Sequence, residues 1–461
     1  MVRDIGNGWL RAPTPNPHPL TPRKGDEQLR SERDDKGMSR REFMKKAGAT
    51  AAGVMAGSMV GGKLFAQGAP ASPRVIGAND RILIGFVGVG GMGSGHVNMV
   101  KELSAEQNVQ IVAVCDVWDK RRRENQNRAE IADNQVYGDY RKLLENKDID
   151  LVVIGTPDHW HAPVAIAAME SGKHVYCEKP MTRHLDEAFK MHATAKRTKR
   201  LVQVGSQGCT DTKWHKTGEL VKAGRIGTVL SAQGSYRRNN PEGEWNYGID
   251  GEMTEQTCDW KTWLGSAPKR PFSPERFFRW RKFWDYGTGI IGDLWPHRLH
   301  PLMIALNCTD FPKRVACTGA DICHTDKGHG EPRDVADETM MMAELPSGAI
   351  IYLAGSTVNE RGLEDLIRGN KATMLFGGAK IQIKPERPYA EEIEEEDVSY
   401  EGPGEDQKEH HKNLWYCIRN NKVPNCNIDL GLRVQTIVCM AEESYRKSRM
   451  SVWDPAKQRI V

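Results

Sequence analysis

A glycine-rich turn between an apolar run and a helix-like segment constrains the fold of this chain most strongly. The run Arg81–Val87 is typical of a buried strand, and glycines in G-x-G-x-x-G spacing follow it at positions 88–93. Such glycines permit a tight turn and let the backbone approach a pyrophosphate, whose charge the helix N-terminus favours. The turn therefore predicts a dinucleotide site that opens a layered α/β fold.

An acidic residue at the end of the next apolar run supports this interpretation. Val109–Cys115 is typical of a second strand and leads directly into Asp116, which lies 23 residues after Gly93. A carboxylate here accepts hydrogen bonds from the adenosine ribose and favours NAD over NADP. The basic run Arg121–Arg123 just downstream leaves NADP possible, since an arginine can face a 2′-phosphate. Its other interpretation is a solvated helix start.

Strand-like and helix-like segments alternate from the glycine turn to residue 205. This rhythm predicts a doubly wound parallel sheet with helices on both faces. The loop Thr156–His161 is expected to project toward the nicotinamide end of the cofactor. Taken separately, His159 and His161 are each also compatible with a structural role in that loop.

The segment Glu178-Lys179-Pro180 follows another apolar run and is stopped by proline. In a doubly wound sheet, ligands bind outside the carboxyl ends of the strands, so Lys179 is expected at the mouth of the crevice. A lysine there can act as a general acid or base if its surroundings lower its pKa. The alternative is a surface lysine paired with a neighbouring carboxylate.

Together these motifs resemble the nucleotide domain of the Gfo/Idh/MocA oxidoreductases, the group of glucose–fructose oxidoreductase and inositol dehydrogenase. The resemblance implies a Rossmann domain at 80–205, an α+β domain with a large, mostly antiparallel open sheet at 206–461, and Lys179 as the catalytic lysine. It also implies homo-oligomers built through the open sheet. The predicted cofactor-binding residues are Gly88, Gly90, Gly91, Met92, Gly93, Asp116, Thr156, Pro157, His161, Glu178 and Lys179.

A glycine-rich approach in the second half leads to Asp293 and His297, which lie four residues apart and share one face if the segment is helical. A histidine oriented by an acid beside a lysine can take a proton from a hydroxyl as hydride leaves its carbon. The resemblance implies that this pair completes the catalytic set Lys179, His297 and Asp293. The family often has Asp where this chain has His300, so the ring-hydroxyl contacts stay open. No third ligand accompanies the His-x-x-His spacing, and no metal site is expected.

Two further segments are expected to be loops. The stretch Arg237–Asp285 is expected to be a long loop, and its many tryptophans and arginines suit either a sugar ligand or the loop's own packing. The acidic run Glu391–Asp397 is expected to be a solvated loop.

The N-terminus predicts export. Ser39–Lys45 is a twin-arginine motif, and the apolar run Ala47–Phe65 and an Ala-x-Ala cleavage site at Ala69–Ala71 follow it. Residues 38–71 are therefore predicted to be a signal peptide that engages the twin-arginine export machinery and directs the protein to the periplasm. The run is too short and glycine-rich for a stable membrane span. Residues 1–37 are a disordered extension or a misassigned start, with translation beginning at Met1 or at Met38.

Charge and cysteine content exclude other classes. Residues 1–71 carry 12 Lys and Arg against 7 Asp and Glu, which leaves 53 against 54 in the remainder. A near-neutral body offers no electrostatic footprint for nucleic acid. The 10 cysteines lack regular spacing and Cys-x-x-Cys pairs, so buried free thiols are expected rather than disulfides or a metal centre.

Three functional hypotheses follow. The first is an exported NAD(P)-dependent oxidoreductase that moves hydride between a sugar or polyol hydroxyl carbon and a tightly bound cofactor, because free NAD is not expected outside the cytoplasm. The second is an NAD-dependent glycosidase that acts through a transient keto-sugar. The third is a non-catalytic sugar-binding protein on a dehydrogenase fold. The sequence leaves open the sugar and the carbon oxidised.

Overall fold

The computed structural model describes residues 80–324 and 330–461, so the predicted extension 1–37 and signal peptide 38–71 lie outside the described residues. The first half forms a six-stranded sheet in the order β3-β2-β1-β4-β5-β6, and all neighbouring strands are parallel. Its strands are β1 Ile82–Val87, β2 Val109–Cys115, β3 Val136–Tyr137, β4 Leu151–Ile154, β5 His174–Glu178 and β6 Val202–Gly205. Its helices are α1 Gly91–Gln107, α2 Asp119–Ala129, α3 Tyr140–Glu145, α4 His161–Glu170 and α5 Leu185–Thr198.

This sheet confirms the predicted doubly wound fold. All four residues of β4 are buried, as expected for a central parallel strand with helices on both faces. The strand order reverses between β1 and β4, and the carboxyl ends of strands at such a switch point form a ligand crevice. Gly88 follows β1 and Gly155 follows β4, so both adjoining loops border that crevice.

The second half forms a ten-stranded sheet in the order β14-β13-β12-β11-β7-β10-β9-β8-β15-β16. Among the neighbouring strand pairs of this sheet within the described residues, only β7 and β10 run parallel, and all the others are antiparallel. This pairing confirms the predicted mostly antiparallel sheet. The strands are β7 Val229–Arg237, β8 Arg314–Ala320, β9 Glu338–Glu344, β10 Ile350–Ser356, β11 Leu366–Gly369, β12 Ala372–Gly377, β13 Lys380–Pro385, β14 Glu396–Ser399, β15 Ser451–Asp454 and β16 Arg459–Ile460.

The end of the acidic run contradicts one expectation. Glu396 and Asp397 begin strand β14, in which Val398 pairs with Ile381 of β13. Pairing with the sheet edge satisfies the backbone hydrogen bonds that a loop would leave to solvent. The prediction of a solvated loop over the whole run Glu391–Asp397 was therefore wrong at its C-terminal end.

Within its described residues the second half also contains seven α-helices: α6 Thr212–Lys222, α7 Trp260–Leu264, α8 Pro274–Phe278, α9 Ile290–Asp293, α10 Pro296–Ala305, α11 Gln407–Asn420 and α12 Ile428–Lys447. Helices α6, α10 and α12 cover one face of the large sheet with a common apolar core. The predicted loop Arg237–Asp285 contains α7 and α8, which pack around a buried aromatic cluster instead of remaining irregular. None of the helices described in these residues combines the length and apolarity needed to cross a membrane.

Helix α11 packs against the nucleotide sheet although it belongs to the C-terminal part of the chain. Leu414 and Trp415 are both fully buried, in a cluster that also contains Ile84 and Phe86 of β1 and Tyr176 of β5. Burial of large apolar side chains contributes about 1.5–3 kcal/mol each. The core of the nucleotide-binding half is thus completed by residues more than two hundred positions further along the chain.

A buried ion pair joins the segment between β5 and α5 to α12. The guanidinium of Arg183 donates to both carboxylate oxygens of Glu442, at 2.8 and 2.9 Å, and to the carbonyl of Trp284. We expect Glu442→Ala to lower the free energy of unfolding by about 3–5 kcal/mol, because it leaves the buried guanidinium without its carboxylate.

The neighbouring Glu443 provides the matched control, measured by urea denaturation under the same conditions. Its partners Lys447 and Arg449 are half exposed, at 55 and 52% of their side-chain surface. Exposed pairs of this kind contribute about 0–1 kcal/mol, so Glu443→Ala should be close to wild type. Equal losses for the two variants would contradict the role assigned to Glu442.

Candidate active site

The glycine turn has the close contacts that a dinucleotide cradle requires. Gly88 has φ of +80°. A Cβ atom there would lie 2.6 Å from the Thr156 backbone nitrogen. A Cβ atom on Gly93 would lie 2.0 Å from the Gly88 carbonyl oxygen. Glycine is therefore needed at both positions, and α1 begins directly at the turn, where its free N–H groups favour an anion.

The Asp116 side chain is hydrogen-bonded to the backbone of the glycine turn. One of its carboxylate oxygens accepts a hydrogen bond from Val89 N–H at 2.9 Å and the other from Trp118 N–H at 3.0 Å. A cavity of about 540 Å³ adjoins it, with Gly88, Gly90, Asp116, Thr156 and Pro157 among its lining residues. Asp116, the predicted adenosine-facing carboxylate, therefore borders the cavity next to the glycine turn.

Of the basic run after Asp116, only Arg121 lines this cavity. Its guanidinium lies 4.6 Å from the ring centre of Phe277 and 5.6 Å from that of Trp118. Arg122 instead donates to the backbone carbonyl of Asp116, and Arg123 is exposed. The solvated interpretation holds for Arg123, whereas Arg121 belongs to the cavity wall.

A second cleft of about 1140 Å³ continues from the first and shares Gly90, Thr156 and Pro157 with it. The hydroxyl of Thr156 is buried and has no hydrogen-bond partner in the described part of the protein, so a donor or acceptor is available for a ligand. The remaining residues in the cleft that bear on the site are Gly91, Met92, Asp158, His161, Glu178, Lys179, Tyr247, Trp280 and Arg281. Apart from Gly93, which supports the turn, every predicted cofactor-binding residue lines one of the two cavities.

Lys179 and Asp293 form a direct ion pair. The Lys179 ammonium donates to Asp293 Oδ1 at 2.8 Å and to its backbone carbonyl at 2.7 Å. Arg281 Nε donates to the same Oδ1 at 2.9 Å, and Trp245 Nε1 donates to Oδ2 at 3.3 Å. Burial alone would raise the pKa of Asp293, but the charges of Lys179 and Arg281 outweigh burial and hold that pKa well below its usual range. The aspartate is therefore a fixed anion that orients two cations.

This geometry corrects the predicted partnership of Asp293 with His297. The segment is not one helix: α9 ends at Asp293, and α10 begins at Pro296. The oxygens of Asp293 bind Lys179, Arg281 and Trp245 rather than the imidazole, whose Nδ1 is buried and has no partner among the described residues.

The His297 ring stacks on Tyr236 at 5.3 Å, and neither residue is among those that line the two cavities. Burial, and next the charge of Lys179, lower the pKa of His297 to about 3. The imidazole is therefore neutral at pH 7 and carries a lone pair that can accept a proton.

The other singled-out histidines have structural contacts. His159 packs against Trp263, with Nε2 2.9 Å from its carbonyl oxygen. The nitrogens of His161 lie 2.6 and 3.0 Å from the carbonyl oxygens of Pro180 and Thr156, so this ring joins the two loops that border the cleft. His300 donates from Nδ1 to the Pro296 carbonyl at 2.9 Å and does not line either cavity.

The tryptophan-rich stretch divides between the two interpretations. Trp245 and Trp263 are buried, and Trp263 belongs to the cluster that holds α7 and α8 together, so packing explains them. Tyr247 and Trp280 line the cleft, and Tyr247 is 47% exposed. Trp263, Phe277 and Phe278 line the same cleft, so several aromatic rings of this stretch border the space available to a ligand.

Asp158 is a cleft residue whose importance the sequence did not indicate. Its side chain lies in the cleft near Lys179, Arg281 and Asp293, and burial raises the pKa of its carboxyl to about 8 against the charge of Arg281. Such an acid is protonated at neutral pH and can donate a hydrogen bond or a proton.

The Asp158 pKa predicts a pH dependence of stability. The unfolded chain releases this proton near pH 4 and the folded protein only near pH 8, so the folded state binds more protons in between. Folding stability from this group therefore falls as pH rises through that window, by at most about 1.4 kcal/mol per pH unit. Asp158→Asn should remove this slope, measured by urea denaturation at pH 5 and pH 8. An unchanged slope would show that the carboxyl ionises normally.

Among the described residues, no group of three or more His, Cys, Asp or Glu side chains is arranged to hold a metal ion. Seven of the ten cysteines are buried, and all are free thiols, which confirms the expectation for most of them.

The two cavities and the two sheets define a two-domain dinucleotide-binding protein. Residues Gly90 and Gly91 of its glycine turn line the same cleft as Lys179, which is paired with Asp293.

Comparison with known proteins identifies the family. Two family models match the chain. The model described as the oxidoreductase family with an NAD-binding Rossmann fold matches residues 82–206, and the model described as the C-terminal alpha/beta domain of an oxidoreductase family matches residues 244–461. The chain belongs to the Gfo/Idh/MocA oxidoreductase family, as the motifs predicted. The family description also agrees with NAD as the cofactor.

The curated relatives are similar to this chain in sequence, whereas the solved structures are similar to it mainly in fold. A "Glycosyl hydrolase family 109 protein" of Shewanella pealeana is 31% identical over 49% of this chain, and one of Shewanella baltica is 33% identical over the same share. The chain spans about half the length of these relatives, 50% in each case.

Among solved structures, levoglucosan dehydrogenase with NADH and L-sorbose has a TM-score of 0.62 at 20% identity, covering 80% of this chain and 98% of its own. The WlbA dehydrogenase from Bordetella pertussis has a TM-score of 0.59 at 16% identity, covering 81% and 99%. At these identities the likeness concerns the fold.

Proposed function

We propose that this protein is an exported oxidoreductase that transfers hydride between a sugar or polyol hydroxyl carbon and a tightly held nicotinamide cofactor. The observation that carries the proposal is the Lys179–Asp293 pair in a cleft that continues from the nucleotide cavity. A glycine cradle without room for a Cβ atom, a buried carboxylate beside it and an unpartnered Thr156 hydroxyl all suit NAD.

The chain's residues divide the work of this reaction. NAD, when bound, takes up the hydride from the carbon that bears the hydroxyl. Two hydrogens of the Lys179 ammonium are held by Asp293, which leaves the third for the substrate oxygen. Charge on Asp293 keeps the lysine in this place, and Arg281 shares that anchor. Lysine therefore positions and polarises the reacting oxygen.

The proton of the substrate hydroxyl passes to His297 in this proposal. The ring is neutral at pH 7 and lies close enough to Lys179 for that charge to lower its pKa. As the substrate oxygen becomes a carbonyl oxygen, the Lys179 hydrogen bond stabilises the charge that develops on it. Asp158, protonated at neutral pH, is a second proton donor in the same cleft.

Export rests on the twin-arginine motif at Ser39–Lys45, which lies outside the described residues. Proteins on this route cross the membrane folded, so the cofactor would be loaded before export and retained. Replacing Arg40 and Arg41 together by lysine should keep the protein in the cytoplasm, as measured by cell fractionation. Unchanged periplasmic recovery would contradict this route.

A second candidate function is glycoside cleavage through a transient keto-sugar. It is favoured by the curated relatives, which are described as members of glycosyl hydrolase family 109. A transient keto group acidifies the neighbouring C–H bond, so that this proton and the glycosidic oxygen can be lost together. Water then adds to the resulting double bond, and bound NAD would supply the redox chemistry that oxidises the sugar first and reduces it again at the end. The first hydride transfer is common to both candidates, and a protonated Asp158 in the cleft suits a departing oxygen.

One experiment tests the cofactor and separates the candidates. Purified full-length protein is denatured and the released nucleotide is identified by mass, with NAD or NADH expected in stoichiometric amount. Sugars and aryl glycosides are then supplied to the native protein. A keto-sugar with reduced cofactor indicates oxidation, whereas a released aglycone without net reduction indicates glycoside cleavage. Absence of any nucleotide would contradict the retained cofactor.

We also propose that the open face of the large sheet joins two copies of this chain. The face opposite the helices exposes apolar side chains of β9 and β10: Met340 at 50%, Met342 at 56% and Ile350 at 37%. Exposed apolar side chains grouped on one face of a sheet are typical of an interaction surface. Replacing Met340 and Met342 together by glutamate should yield monomers in analytical ultracentrifugation. A wild-type monomer at micromolar concentration would contradict the proposal.

A further inference from the structure

Two histidines outside the cleft form a hydrogen-bonded chain that ends on Glu178. His96 Nε2 lies 2.8 Å from Glu178 Oε1, and His411 Nε2 lies 2.9 Å from His96 Nδ1. His96 is on α1, Glu178 ends β5 and His411 is on α11. Both histidines are fully buried, at 0% exposure, and neither lines the cleft, whereas Glu178 does.

The direction of these hydrogen bonds follows from the charge of Glu178. Burial raises the pKa of its carboxyl, but the hydrogen bond from His96 and the nearby positive charge outweigh burial and leave the pKa lowered. Its other oxygen accepts the Lys179 N–H at 3.2 Å. The anionic oxygen at His96 therefore needs a donor, so His96 carries its proton on Nε2.

The second bond joins two ring nitrogens, so one of them donates and the other offers a lone pair. A neutral His411 with its proton on Nε2 donates to the lone pair of His96 Nδ1. His411 Nδ1 is buried and has no partner among the described residues, as expected for the unprotonated nitrogen of a neutral ring. Burial, and next His96, hold the pKa of His411 well below its usual value, which keeps the ring neutral.

Neighbouring atoms leave the Glu178 carboxylate little other space. A Cβ atom on Gly205, at the end of β6, would lie 2.6 Å from Glu178 Oε1. The Tyr176 ring stacks on His411 at 4.3 Å and 18°, and also meets His96 edge-on. On its buried side the Glu178 carboxylate is therefore held by His96, and Tyr176 and Gly205 restrict the space around this hydrogen bond.

We propose that His96 and His411 are positioning residues that hold the Glu178 carboxylate in the orientation in which it contacts the cofactor. This inference rests on the proposed nicotinamide-dependent function. Helix α11 thereby takes part in cofactor binding without reaching the cleft. The donor order is His411 to His96 to Glu178, and removal of the first donor leaves His96 Nδ1 unsatisfied and free to turn away from the carboxylate.

Paired variants of His411 test this role in protein stripped of nucleotide. His411→Leu removes the donor and should weaken NADH binding about 10-fold, because it leaves a buried acceptor unsatisfied. His411→Gln offers an amide N–H near the same place and should stay within about 3-fold of wild type. Binding is measured by NADH fluorescence and stability by thermal unfolding. Losses that are equal for the two variants, or no loss for His411→Leu, would overturn the proposal.

A double-mutant cycle asks whether the effect passes through Glu178. In a Glu178→Gln background, His411→Leu should weaken NADH binding by less than about 2-fold, because the coupled group is already lost. A full additional loss would show that His411 acts by another route.

Histidine ¹⁵N spectra of the nucleotide-free protein supply a readout that does not depend on binding. Both His96 and His411 should be Nε2–H tautomers, and a proton on His96 Nδ1 would overturn the donor order. Absence of NADH binding by the wild-type protein would instead refute the proposed function. The tautomers would still show whether the histidine chain exists.

Discussion

Lys179→Ala should lower turnover at least about 10³-fold, since acid–base groups that touch the reacting oxygen contribute about 10²–10⁴-fold. The other predicted cofactor-binding residues stay in place, so bound nicotinamide should remain with the protein. The variant loses the one ammonium that Asp293 holds at the cleft. Single-turnover reduction of the bound nicotinamide by sugar substrate, followed by absorbance, measures the effect.

Lys190→Ala is the matched control for this experiment. Lys190 is an exposed lysine that pairs with Asp186 on the same helix, so its removal should leave turnover at the wild-type rate. Unchanged turnover in Lys179→Ala would contradict the catalytic role. A wild-type protein that binds sugar but never reduces its nicotinamide would favour the non-catalytic hypothesis.

Gly93→Ala should weaken NADH binding at least about 100-fold. The added methyl would lie 2.0 Å from the Gly88 carbonyl oxygen, so the turn must open and its N–H groups must leave the phosphate position. Overpacking of this kind also costs about 1–3 kcal/mol of stability. NADH titration and urea denaturation measure the two effects separately.

Gly95→Ala makes the same chemical change two residues further along α1. A Cβ atom at Gly95 meets no atom within 4 Å, and alanine within a helix is favoured over glycine by about 0.5–1 kcal/mol. This variant should bind NADH normally and unfold at slightly higher urea concentration. Equal NADH affinities for the two alanine variants would show that the turn does not need glycine at position 93.

Local sequence signals were sufficient for the nucleotide sheet and its crevice. The apolar runs, the glycine spacing and the carboxylate after the second strand each depend on residues close together in the chain. The Glu-Lys-Pro segment likewise lies at a strand end, where the fold rule places ligand contacts. These features predicted the doubly wound parallel sheet and most of the named residues that line the cavities.

Features that depend on distant residues were not predicted. Spacing suggested that Asp293 orients His297, but a break before Pro296 and the cations Lys179 and Arg281 give the aspartate different partners. Nothing in the local pattern of Arg281 distinguishes it from other arginines of the same stretch. The raised pKa of Asp158 likewise comes from burial by several separate segments, which no single motif records.

The place of α11 in the nucleotide-binding half has a consequence for biosynthesis. A nascent chain that has emerged only as far as residue 205 carries every predicted cofactor contact, yet lacks Leu414 and Trp415 over its first strand. The apolar core on this side of the nucleotide sheet therefore becomes complete only when α11 has been synthesised. We expect the nucleotide-binding half to reach its stable fold, and to bind the cofactor firmly, only after that step.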